Sequence, residues 1–458
     1  MLGFLSTITF NPLRLIAQTA ASGNGAAPPT VNAGPSVLLI SIDGLRPEYV
    51  LDSGTFVGRL PNLRRMAREG SYATGVKGVV PTVTYPSHTT LITGAAPSTH
   101  GILANTTLDP QLKNQGGWYW YASDIRVPTL WDAAAAAGMR TASVHWPVSV
   151  GAHIDVNLPQ IWRAGTPDDR KLLKLLSSPG LLERLERELG PYADGADETI
   201  EGDETRAKFT ARILATERPR LTTAYFTALD HEQHEHGALA ENPNGMRVLE
   251  RIDAIVGRLS DVAGANTIVA VVSDHGFAPV SRELNILPAF LDAGLITADS
   301  SGHITAWDAS IWTAGGSIAV VVRDTARGDV RQRVRGIVNR LAADPANGID
   351  RIVDANELEQ RGAFAGVELL LALKPGVTSG TRVVSTVVGP STVRGMHGYW
   401  PDEPVMRSAF FLRGAGVPRG TSLGEIDMRR IAPTLAGLLG ISLSGAERGS
   451  VFTQAGVK

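Results

Sequence analysis

The chain has no cysteine. That excludes disulfide bridges, thiolate nucleophiles and Cys-ligated zinc. It also excludes sulfatase-type catalysis on a modified cysteine, though not on the serine counterpart. Long apolar runs are missing too: nowhere do about 18 or more consecutive apolar residues occur, so no membrane-spanning helix is expected. Neither charge sign is in excess, 43 basic residues standing against 45 acidic for a net charge of −2. Such a balance lacks the broad electrostatic footprint of a duplex nucleic-acid or anionic-membrane binder. There is no evident internal repeat and no feature pointing to an obligate protein partner. What is present, 458 residues of which 43% are hydrophobic and 19% charged, suits a folded protein with a substantial core.

The first 35 residues begin moderately apolar and then loosen into Ala, Gly and Pro. They lack a basic start, and Asn11, Pro12 and Arg14 interrupt the apolar run. The segment therefore reads as a poor signal peptide, of the kind a degraded export signal or a misplaced start codon would leave.

Beyond it, "SVLLISIDG", "LTTAYFTALD" and "TIVAVVSDHG" read as buried strands that each run into an aspartate: Asp43, Asp230 and Asp274. Helical segments lie between them. Leu60–Gly70 is one, and the stripe Val248, Leu249, Ile252, Ile255, Val256 and Leu259 marks another. The run of five alanines after Trp131 is expected to be a close-packed helix face. Strands alternating with helices predict an α/β fold with a mostly parallel central sheet covered by helices on both faces. Ligands in such sheets bind beyond the C-terminal strand ends, and all three aspartates are delivered to that edge. The expected organisation is an N-terminal segment 1–35, a catalytic core 36–281 and 394–458, and an α+β insertion 282–393 folded over the site edge.

Ten histidines occur, unevenly placed. "DHEQHEHG" holds Asp230, His231, His234 and His236; "SDHGF" holds Asp274 and His275; "MHGYW" holds His397. Each piece has an ordinary reading, since a strand-end aspartate is commonly a cap or turn residue and "DHEQHEHG" could be a solvated loop. Jointly they supply oxygen and imidazole donors without thiolates, a set suited to catalytic zinc or a similar divalent ion. "VVPTVTYPSHTTLITG" (Val79–Gly94) adds five threonines, a serine, two prolines and a histidine. Its residue-level reading leaves open whether Thr84 merely caps a helix or does chemistry. On the pattern alone the capping role is the commoner one for such a threonine, although free N–H groups at a helix N-terminus can also face an anion.

The order "ISIDG … PTVTYPSHTTLITG…STHGILAN … DHEQHEHG … SDHGF … MHGYW", spanning about Val37 to Gly440, resembles the nucleotide pyrophosphatase/phosphodiesterases of the alkaline phosphatase superfamily. The resemblance implies two divalent ions, most simply Zn2+. One would be held by Asp230, His234 and His397, the other by Asp43, Asp274, His275 and the Thr84 hydroxyl. It implies that Thr84, in a Thr-aromatic-Pro turn, is the nucleophile of a covalent phosphothreonine mechanism. Asn105 would bind a non-bridging phosphate oxygen, and Tyr85 and Tyr225 would line the substrate pocket. His231 and His236 match no ligand position, nor do His88, His100, His145, His153 and His303. The implied substrate is a small phosphodiester or nucleotide. Rivals are a lipid-headgroup phosphodiesterase, a phosphomonoesterase, a phosphonate hydrolase, or an inactive homologue that only binds metal. The resemblance implies a periplasmic or secreted protein. The N-terminus supports export poorly and leaves a cytoplasmic location open.

Overall fold

A computed structural model describes residues 34–457 apart from 57, 115–116, 163–167 and 324–327. The expectation of a degraded export signal falls on residues outside this set. Among the described residues no helix is long and apolar enough to cross a membrane.

An eight-stranded sheet forms the centre. Its strands in chain order are β1 (Ser36–Ile42), β2 (Ser71–Tyr72), β3 (Thr141–Val144), β4 (Val156–Leu158), β5 (Leu221–Phe226), β6 (Thr267–Val272), β7 (Phe410–Arg413) and β8 (Thr421–Ser422). In space they run β8-β2-β7-β6-β1-β5-β3-β4. β1 pairs in parallel with both β5 and β6, Ile42 lying opposite Phe226 and Ser41 opposite Val272. β7 is the exception, antiparallel to β6 and β2. Residues 43, 227–230 and 273–275 therefore leave three hydrogen-bonded neighbours at one edge.

β1 shows why its apolar run is continuous. Val37 and Leu39 enter one core and Leu38, Ile40 and Ile42 the other, because helices cover both faces. On the first face lie helix α2 (Thr84–Thr93) through Leu91 and Ile92, and α6 (Ile431–Leu439) through Ile431 and Leu435. On the second lie α1 (Pro61–Glu69) through Leu63 and Met66, and α5 (Pro243–Ala263) through Leu249, Ile252 and Val256. Two further helices, α3 (Ile200–Glu217) and α4 (Ala228–His236), flank β5 in sequence.

Two local expectations need correcting. The five alanines do not form a packed face: the helix is Leu130–Ala136, and only Ala134 of the run is buried. A capping box at Thr129 and Asp132 and the burial of Leu130 and Trp131 hold it instead. Asp230 also does not end a strand, because β5 stops at Phe226 and Asp230 lies in the first turn of α4.

Within 282–393 stands a four-stranded antiparallel sheet ordered Ala309–Thr313, Ser317–Val322, Leu369–Leu373, Ile349–Asp354. Helix Gly328–Ala343 packs on one face through Val330, Val334 and Val338. The other face, through Trp312, Val321 and Leu370, packs on Val80, Val83 and Ala104 beside the threonine motif.

His100 is fully buried in this scaffold. Its Nδ1 accepts from Ile102 N at 3.1 Å and its Nε2 faces Thr90 Oγ1, also at 3.1 Å. Protonation would set an N–H against an N–H, and burial holds the ring's pKa down to about 3. A histidine depressed in the fold contributes stability that is full above its unfolded pKa and lost as pH falls toward the folded value. Unfolding measured in urea between pH 6 and 4 should therefore show His100→Asn losing less stability than the parent, by about 1.4 kcal/mol per pH unit. Equal slopes would rule this out.

Candidate metal centre and nucleophile

The first side chain at the edge is Asp43, which follows β1. Gly44 makes the turn after it at φ +67°, and a Cβ there would sit 2.9 Å from Gln233 Nε2. Gln233 braces the edge: it donates from Nε2 to Gly44 O at 3.1 Å and accepts from Tyr49 Oη at 2.8 Å. Nothing in the sequence signals this residue, because its partners lie on a distant segment. Leu45 N similarly donates to Ser273 Oγ at 2.9 Å, tying the Asp43 turn to the Asp274 turn.

Asp230 and His234, four apart on α4, share one helical face; His234 Nε2 is 3.1 Å from Asp230 Oδ2. His397 Nε2 lies 3.9 Å from Asp230 Oδ1. His275 Nε2 lies 3.3 Å from Asp43 Oδ1 and 3.2 Å from Asp274 Oδ2. The rings of His275 and His397 stack with centroids 3.7 Å apart. The six carboxylate and imidazole side chains expected to bind metal are thus together. Two groups have donor atoms all within 4.8 Å of one another: Asp230, His234 and His397, and Asp43, Asp230 and His275. Asp230 belongs to both. Asp274 instead reaches the second group through His275.

The donor set fits divalent cations. Each imidazole turns Nδ1 to a backbone carbonyl: His234 to Gly395 at 2.9 Å, His275 to Gly276 at 3.1 Å and His397 to Thr82 at 3.3 Å. A carbonyl can only accept, so each Nδ1 carries a proton and each Nε2 is aimed at the carboxylates, where the neutral ring would offer a lone pair to a cation. Asp43 Oδ1, Asp230 Oδ1 and Asp274 Oδ2 are buried without hydrogen-bond partners. Burial, with Asp230 and Asp274 nearby, pushes the Asp43 carboxyl well above its usual range. Burial and the charge of Asp230 push Asp274 up to about 7. Burial would also raise Asp230, but His234 first, then His397 and His275, hold it below the usual range. Burial drives His275 well down, and His397 down to about 4. Burial opposes the His234 cation as well, yet the charge and hydrogen bond of Asp230 outweigh it and raise that ring. Three carboxylates in a dry pocket call for more positive charge than one raised imidazole, His234, can supply.

Thr84 sits at the first position of α2, after Val83, which makes no side-chain cap. Its hydroxyl faces His275 Nε2 at 3.5 Å. The other threonines of the motif bond backbone carbonyls: Thr82 to Tyr399, Thr89 to Tyr85, Thr90 to Ala95 and Thr93 to Thr89, all between 2.7 and 2.9 Å. Asn105 Oδ1 accepts from Tyr85 N at 2.9 Å. That fixes the amide orientation and leaves its two N–H donors for another acceptor.

The expected pocket aromatics are both 2% exposed. Tyr85 packs on Trp118 with centroids 5.2 Å apart, and Trp118 on Trp162 at 5.6 Å. Tyr225 lies behind Asp43, donating its hydroxyl to Asp43 Oδ2. Its ring is held between His88, 4.4 Å away edge-on, and His145, stacked at 5.8 Å. Burial, then the charge of Asp43, keeps this phenol well above its usual pKa and so protonated. The histidines without a ligand match separate cleanly. His231 pairs with Glu198 at 3.2 Å and His236 with Glu232 at 3.1 Å. His153 and His303 are exposed, bound to Asp132 and Asp299.

A model of the family described as type I phosphodiesterase / nucleotide pyrophosphatase matches residues 37–400. Human ectonucleotide pyrophosphatase/phosphodiesterase family member 1 is 25% identical over 260 residues, 53% of this chain and 23% of the human protein. An uncharacterized pyrophosphatase/phosphodiesterase of Schizosaccharomyces pombe is 22% identical over 422 residues, covering 87% of this chain and 74% of that one. The chain spans about a quarter of the length of the human, rat and mouse family member 1 proteins it matches. Murine ectonucleotide pyrophosphatase/phosphodiesterase 5 shares the fold at TM-score 0.65 and 19% identity, over 92% of this chain and 99% of that one. An inactive variant of the murine protein, solved in complex with AMP, matches at TM-score 0.64 and 18% identity over 91% and 97%. With the motifs, the sheet edge and this match in agreement, the chain belongs to the type I phosphodiesterase / nucleotide pyrophosphatase family.

Proposed function

We propose that this chain hydrolyses phosphodiester or phosphoanhydride bonds of small nucleotide-type substrates through a covalent intermediate on Thr84. The supporting observation is the placement of Thr84 Oγ1. Of the threonine side chains in the motif, this one makes no bond to a backbone carbonyl, and it opens onto the ligand cluster.

Asp230, His234 and His397 would hold one divalent cation, and Asp43, Asp274, His275 and Thr84 a second; the thiol-free nitrogen and oxygen set favours zinc. Bound cations would supply Lewis-acid stabilisation of phosphoryl and leaving oxygens and make the threonine alkoxide accessible near neutral pH. Thr84 Oγ1 attacks phosphorus in line, the bond to the leaving oxygen breaks, and a phosphothreonine diester remains. Water then cleaves the Thr84–phosphorus bond and restores the hydroxyl. The Asn105 amide and the N–H of Thr84 hold the non-bridging oxygens, donors matched to the single charge of a diester. Tyr85, with Trp118 and Trp162 aligned beyond it, is assigned to the pocket wall. Tyr225 is assigned to the same site with its hydroxyl anchoring Asp43. We assign residues 282–393 to a cover over the edge, on the packing of its sheet against Val80, Val83 and Ala104.

The test compares nitrophenyl thymidine 5′-monophosphate, nitrophenylphosphocholine and nitrophenyl phosphate, with metal content measured on the same sample. The expected result is kcat/KM highest on the nucleotide diester, with about two equivalents of zinc or a similar ion per chain. Preference for the phosphocholine ester or the monoester would redirect the substrate assignment. Absence of turnover on all three with metal bound would favour a binding protein.

A further inference from the structure

Asp203 and Arg206, in the first turns of α3, are both fully buried. Arg206 Nη1 donates to Asp203 Oδ1 at 2.8 Å. A buried ion pair gains little over apolar packing, because desolvation offsets the attraction. What distinguishes this one is what else it holds. Asp203 Oδ1 accepts from Thr227 N at 3.2 Å and Oδ2 from Ala228 N at 2.9 Å. Those N–H groups are the cap and first residue of α4, where a helix has free donors and partial positive charge. Thr227 makes no side-chain cap of its own, so the carboxylate from α3 does that work. Arg206 Nη1 adds a bond to Thr227 Oγ1 at 3.3 Å, and Nη2 donates to the carbonyls of Asp194, at 3.4 Å, and Asp197.

We propose that Asp203 and Arg206 are positioning residues for the metal centre: they set the start of α4 and thereby the placement of Asp230 and His234 toward a cation. Asp230 is the third residue of α4 and His234 lies one turn further on. A shift of the helix start moves both ligands together. Supporting groups of this kind typically change metal affinity or activity about 10–100-fold when altered. The inference rests on the metal reading given above.

The molecule contains its own control. Asp253, 1% exposed, accepts from Leu63 N at 2.7 Å and Asn62 N at 3.1 Å, holding the start of α1, which carries no site residue. Zinc affinity is measured by titrating metal-stripped, full-length protein against a chromophoric chelator, alongside kcat, KM and circular-dichroism melting. Asp203→Asn is expected to weaken zinc binding at least about tenfold and to lower kcat with KM little changed. Asp253→Asn should lower the melting temperature while zinc affinity and kcat stay at parental values. A folded Asp203→Asn protein with parental zinc affinity and kcat would overturn the proposal, and so would equal losses of affinity in both variants. Thr227→Val removes only the hydroxyl contact to Arg206, and a smaller fall in affinity in the same direction is expected. If Asp203→Asn does not fold, this variant decides, and unchanged affinity overturns the proposal. Parental protein that binds no zinc overturns the metal reading itself, a distinguishable failure.

Discussion

Replacing Thr84 by alanine is expected to lower kcat by about 10⁴-fold or more while leaving metal content and melting temperature close to the parent's. The other motif threonines bond carbonyls within or beside the helix, so removing Thr84 Oγ1 deletes no such bond. Thr84 also makes no side-chain cap bond that alanine would remove. The loss should therefore be chemical and not conformational. Thr89→Ala supplies the contrast: it breaks the bond to Tyr85 O, should cost about 1 kcal/mol of stability, and should leave most turnover. Metal analysis, denaturation and single-turnover kinetics on the three proteins separate the effects. A Thr84→Ala protein that still turns over at near-parental rate would remove Thr84 from the mechanism.

Asp230→Asn is the second large effect. Asp230 belongs to both donor groups, and its oxygens address different imidazoles, His234 and His397. It is also the carboxylate those rings keep ionised against burial. The amide preserves shape, removes the charge and places a donor where a cation or lone pair belongs. The cation assigned to Asp230, His234 and His397 should be lost, the second weakened through the proximity of Asp230 to Asp43 and His275, and kcat/KM should fall on the order of 10³-fold, several kcal/mol of transition-state stabilisation. His397→Ala, which touches one group, should release one equivalent of metal and retain the other. Metal per chain by atomic emission, with kcat/KM on a nitrophenyl diester, checks both. Full metal content together with near-parental kcat/KM in Asp230→Asn would overturn the assignment of Asp230 to the metal centre.

The strand runs were legible because parallel strands covered on both faces are mostly apolar, as the alternate burial of Val37 to Ile40 into two cores shows. The stripe on α5 was legible for the corresponding helical reason. The start of α4 was not: "FTALDHEQH" carries no cap residue of its own that makes a bond, since its cap arrives from Asp203. The alanine run misled because small side chains at helical spacing are compatible with packing but do not require it.

The sequence by itself determined which chemical groups are available: carboxylates and imidazoles without thiols, hydroxyls behind a proline-punctuated turn, and apolar runs each followed closely by an aspartate. Only the tertiary structure decided which of them meet. β6-β1-β5 adjacency brings Asp43, Asp230 and Asp274 to one edge, and backbone carbonyls from distant segments turn His234, His275 and His397 so that each Nε2 faces inward. It likewise separated Thr84 from its neighbours. A hydroxyl's role depends on the acceptor within about 3 Å, and that acceptor is set by packing between segments far apart in the chain.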